Sequence, residues 1–74
     1  MSNKIEIDFY EGNRSEDLPF IINDSVEILD GSDKGKIAAV ISVLNNKTGL
    51  SYLIEKSDGT GDVSITAASI QLID

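Results

Sequence analysis

Asp30-Gly31-Ser32-Asp33-Lys34-Gly35-Lys36 is the densest run of chemistry-capable side chains in the sequence, and two kinds of site can be tried on it. A calcium loop needs oxygen ligands at alternate positions and a bidentate Glu to close it. Here the third and fifth positions are Ser32 and Lys34, and Ile41 stands where the closing Glu belongs, so the run is not an EF-hand. A phosphate-binding P-loop needs two glycines at fixed spacing, then Lys, then a hydroxyl residue that opens a helix. Gly31 to Lys36 is one residue short of that pattern, and Ile37 replaces the hydroxyl. Asp58-Gly59-Thr60-Gly61-Asp62 could bring two carboxylates to a cation, but Asp-Gly steps are hairpin-turn chemistry. The chain has no Cys and no His, which removes thiolate and imidazole ligands and the usual nucleophile and proton shuttle. A carboxylate pair acting as acid and base would need a cleft that separates their pKa values, and a domain this small offers shallow grooves. The chain therefore reads as a non-enzyme, with no metal and no cofactor expected.

The elements that position these loops are short strands. At 74 residues the chain is one domain that must fold on its apolar core. Strands are expected at 25–29, 36–44, 50–55, 62–66 and 70–73, with Gly-, Asn- and Asp-rich turns between them and one helical turn at Ala67-Ala68-Ser69. The expected core is Val26, Ile28, Ile37, Val40, Tyr52, Ile54, Val63, Ile65, Ile70 and Leu72. Five strands in so short a stretch predict an all-β fold, a small five-stranded SH3-like barrel over 20–74, with an OB-fold as second choice. Residues 1–19 form an N-terminal extension. Ile5, Ile7 and Phe9 alternate with charged residues, predicting an extra strand, and Glu11 to Asp17 predicts a loop or flexible linker.

Six basic residues against 13 acidic ones give a net charge of −7, which repels phosphate backbones and disfavours nucleic acid as a partner. The acidity is concentrated before residue 31, in Glu6, Asp8, Glu11, Glu16, Asp17, Asp24, Glu27 and Asp30. No apolar run approaches a membrane span and no signal-like segment opens the chain, so a cytoplasmic protein is expected and no membrane partner. The Asn-x-Ser/Thr matches at Asn13, Asn23 and Asn46 are then read as chance. Aromatic residues are few. Phe20 and Tyr52 suit the core or a barrel end, and Tyr52 is kept as a contact candidate there. Phe9 and Tyr10, beside Glu11, lie outside the minimal barrel and suit either an interface or packing on its edge.

The stretch from Val26 to Val40 resembles the KOW motif, a strand-loop-strand element of SH3-like domains in ribosomal proteins and transcription-elongation factors. The matching positions are Val26, Ile28, Gly31, Lys34, Gly35 and Val40; Ala38 stands where the family usually has a third glycine. That resemblance implies RNA contact by Lys34 and Lys36. A wider similarity, through Asp8-Phe9-Tyr10-Glu11, Lys34-Gly35-Lys36, Val40, Tyr52 and Ser69-Ile70, is to small acidic bacterial immunity proteins of polymorphic-toxin systems. It implies an acidic surface that occludes a basic partner.

The leading expectation is thus a protein-protein interaction module, an immunity-type inhibitor or an accessory subunit, with Phe9, Tyr10, Glu11, Lys34, Lys36 and Tyr52 as contact candidates. A KOW-like domain bound to RNA or to the transcription or translation machinery is the alternative. A monomer or weak homodimer is expected, since exposed strand edges can pair.

Overall fold

The computed structural model describes residues 4–46 and 49–73, with the backbone alone at Asn46. Lys47 and Thr48, within the turn expected at 45–49, lie outside the described residues. Along the chain run α1 (Lys4–Glu11), β1 (Ser25–Ile28), β2 (Ile37–Asn46), β3 (Gly49–Lys56), β4 (Asp62–Thr66), a 3-10 turn (Ala67–Ser69) and β5 (Ile70–Leu72). The strands form one antiparallel sheet in the order β4-β3-β2-β1-β5. The all-β, five-stranded expectation holds. Closure into a barrel does not: among the described residues no ladder joins β4 to β5. The apolar face that closure would seal is covered instead by the N-terminal part of the chain, since Phe9, Leu18 and Phe20 are buried in the same core as Val26, Ile28, Val40, Tyr52, Ile54 and Ile70.

The extension is a helix and not the expected strand. Ile5, Ile7 and Phe9 fit a period of two, but Ile5 and Phe9 are also one helical turn apart, and that second relation is the one realised. Phe9 is fully buried and Ile5 packs against the core, while Ile7 is 49% exposed. Lys4 Nζ meets Asp8 Oδ2 at 2.7 Å across one turn. Gly12, at φ +81°, ends the helix: its N–H donates to Phe9 O and the Asn13 N–H donates to Asp8 O at 2.8 Å, a Schellman closure that a residue with a Cβ would strain. Eight residues are too few for a stable isolated helix, so buried Phe9 is what holds this one.

The expected flexible linker is likewise tied down. Ser15 and Leu18 exchange backbone hydrogen bonds at 3.1 Å. Arg14 donates from Nη1 to Pro19 O and to Asp24 Oδ2 and from Nη2 to Asp24 Oδ1, and Asp24 Oδ2 also accepts the Ile21 N–H. Asn23 and Asp24 then bond to Val40 on β2. The guanidinium fork matches the carboxylate geometry, which makes Arg14 a staple between the two ends of this segment.

Two expected core residues lie at the surface. Ile37 and Val40 are three apart, and an unbroken strand cannot point both inward. Ala38 and Val40 face the core, which turns Ile37 out, and an irregularity between Val40 and Ser42 then brings Val43 in. Ala38 keeps a negative φ, and the irregularity of β2 falls a few residues later, as a bulge. Leu72 pairs with Val26 and so shares its face, but β5 is an edge strand and leaves Leu72 largely uncovered.

Candidate partner-binding surfaces

Gly31 and Gly35 both adopt positive φ, which lets the loop between β1 and β2 double back. The Gly35 N–H donates to Ile28 O at 2.7 Å, and the Ile28 N–H to Lys36 O at 2.9 Å. The loop's charges turn inward on one another. Lys36 Nζ lies 3.1 Å from Asp33 Oδ1 and 2.9 Å from Asp58 Oδ2, and Lys56 Nζ lies 3.1 Å from Asp33 Oδ2. Asp58 Oδ1 accepts both the Thr60 N–H and the Thr60 hydroxyl.

The titration behaviour follows. Hydrogen bonds from Thr60, then from Lys36, hold the Asp58 carboxyl far below its usual range. Lys56 and then Lys36 depress Asp33, and Asp58 followed by Asp33 raises Lys36. The network ties the β1–β2 loop to the β3–β4 turn. Lys34 is exposed and makes no ion pair among the described residues. Lys56, whose side chain is only 12% exposed, is a participant that sequence reasoning missed; it lies too far from Asp33 along the chain for spacing to signal the contact.

The second surface is the outer side of α1. Tyr10 is 53% exposed, and Ile7, one turn before it, shares that side. The Tyr10 ring stands edge-on against buried Phe9, with centroids 4.8 Å apart, and its hydroxyl shares a 3.3 Å hydrogen bond with Ser42 Oγ. Leu44, two residues after Ser42 on the same face of β2, is exposed as well. Glu11, Glu16 and Asp17 are exposed, and no cation pairs with any of them among the described residues; Glu11 accepts only from Asn13 Nδ2.

Two contact candidates are withdrawn by burial. Phe9 and Tyr52 are both fully enclosed. Tyr52 stacks edge-on with Phe20 at 5.4 Å and lies 6.4 Å from Phe9, and its hydroxyl has no hydrogen-bond partner of good geometry. Burial pushes that phenol above its ordinary pKa. Tyr10, Glu11, Lys34 and Lys36 remain at or near the surface, but Tyr10 with Glu11 and Lys34 with Lys36 belong to different surfaces. Among the described residues no cluster of carboxylates is arranged to hold a metal, and no helix is long and apolar enough to cross a membrane.

Fold and surface together define a small antiparallel all-β domain whose chemistry-capable loop is occupied by its own ion pairs. No family model, curated protein or solved structure matches the chain.

Proposed function

We infer that this chain is a non-enzymatic protein-binding module of SH3-like topology, acting in the bacterial cytoplasm as an immunity-type inhibitor or as an accessory subunit, and that it holds a basic partner against the outer side of α1. The strand order and the 3-10 turn between β4 and β5 support the SH3-like assignment. One observation carries the functional reading. Lys4, Arg14, Lys36 and Lys56 are each paired with an aspartate, so of the described cations only Lys34 is left over, while Glu11, Glu16 and Asp17 meet no cation among the described residues and Ile7 and Tyr10 are exposed. An exposed aromatic on a short helix with unmatched acid on it and on the segment after it suits a cationic protein surface and repels a phosphate backbone. The RNA-binding alternative needs Lys34 and Lys36 together, and Lys36 is held by Asp33 and Asp58.

The test is capture from the organism's own lysate with wild type, I7S/Y10S and K34E, each with and without nuclease. The expected result is one basic protein held at near-equal stoichiometry, indifferent to nuclease, reduced about tenfold by I7S/Y10S and unaffected by K34E. Nuclease-sensitive retention that K34E abolishes would replace this reading with the KOW-like one.

A further inference from the structure

A hollow lies on the outward face of the sheet. It measures about 430 Å³ and is floored by Ile37 and Ala39 of β2, with Ser25 on one side and Glu55 and Ser57 on the other. The register explains its shape. Ala39 pairs with Ser25 on β1 and with Glu55 on β3, so small side chains occupy the middle of the row. Ile37 pairs with Glu27 and is 42% exposed, although it is a strand residue flanked on both sides. An uncovered aliphatic floor thus lies between two carboxylates, each directly across a ladder from it and within side-chain reach.

The charge of the hollow is as specific as its shape. Neither Glu27 nor Glu55 pairs with a cation among the described residues; Glu27 accepts one hydrogen bond, from Gln71 Nε2 at 3.2 Å. The cation at the rim, Lys56, is turned away to Asp33. We propose that this hollow is a docking site for a basic polypeptide segment in which lysine or arginine stands two residues before and two residues after an aliphatic residue: the aliphatic group covers Ile37 and Ala39, and the two cations meet Glu55 and Glu27. The two-residue spacing is required because successive side chains of an extended segment point to opposite faces, so only every second residue, about 7 Å further along, faces the sheet. The site shares its preference for a basic partner with the α1 surface but uses none of its residues.

A Lys-Ser-Val-Ser-Lys pentapeptide, titrated into the 15N-labelled full chain at low salt, tests the proposal. Amide shifts are expected to centre on Ile37, Ala39, Glu55 and Ser57. Glu55→Gln is expected to weaken binding about threefold and Ile37→Ser to weaken it more, both with the dispersed spectrum of a folded chain; a Glu-Ser-Val-Ser-Glu pentapeptide is expected to leave the spectrum unchanged. The proposal is overturned by shifts confined to α1, Ser42 and Leu44, which would leave the α1 reading standing alone. Equal response to the glutamate peptide, indifference to both substitutions, or no shift at millimolar peptide overturns it too.

Discussion

The β1–β2 loop and the outer side of α1 are both rich in charge, yet they end in opposite states. In the loop, Asp33, Lys36, Lys56 and Asp58 neutralise one another and hold two turns together. On α1 and the segment after it, Lys4 and Arg14 are taken up by Asp8 and Asp24, and Glu11, Glu16 and Asp17 meet no cation among the described residues. A charge is available to a partner only if the fold has not already matched it. The lysines that form the most motif-like pattern in the sequence are for that reason the weaker candidates, and the less patterned helix is the stronger one.

The largest effect that can break this comparison lies on the buried side of α1. Phe9→Ala removes a fully enclosed ring and should cost about 3–5 kcal/mol, enough to unfold most of a small domain. Denaturant unfolding would read this, and a variant as stable as wild type would mean that α1 is not part of the core. Gly12→Ala comes next. The new methyl would meet Ile21 Cδ1 at 3.7 Å in ordinary contact, but a Cβ at φ +81° is strained, and the change should cost about 1 kcal/mol in the same measurement.

Acid sensitivity separates the two regions by another route. Asp33 and Asp58 have folded-state pKa values below their unfolded ones, so their contribution is complete above the ordinary carboxylate range and is lost as pH falls through the depressed values. Lys36→Met removes a cause of both shifts and should flatten the fall in melting temperature between about pH 4 and pH 2, with little change in that slope near neutrality. An unaltered acid limb would mean that the loop's ion pairs are not formed in solution. The smallest effect belongs to Lys34→Glu, at an exposed position with no ion pair, which should change stability by less than about 0.5 kcal/mol. A larger loss would show that Lys34 is bound into the loop network.

The readable parts of the fold were those whose signals are local. β-branched runs between Gly-rich turns place the strands, and Gly31 and Gly35 sit at positive φ where a tight loop requires it. α1 was misread because Ile5, Ile7 and Phe9 satisfy a two-residue period, while the decisive Ile5–Phe9 relation appears only once in so short a segment. The signal that could have corrected it is Gly12, three residues after Phe9 and one past the end of the helix. Of the candidate site, Tyr10 and Glu11 were legible as an aromatic beside acid; that Phe9 faces inward was not.

The sequence by itself determined an acidic domain of short antiparallel strands, lacking the Cys and His on which most metal and nucleophile chemistry depends. Tertiary structure alone decided that the sheet stays open under an N-terminal cover, that Ala38 and Val40 face the core and leave Ile37 outside, and that Lys36 and Lys56 meet around Asp33. Turn and strand preferences act over a few residues and are written in the local order of side chains. Burial and charge pairing depend on which distant segments arrive side by side, and that is settled only when the whole core packs.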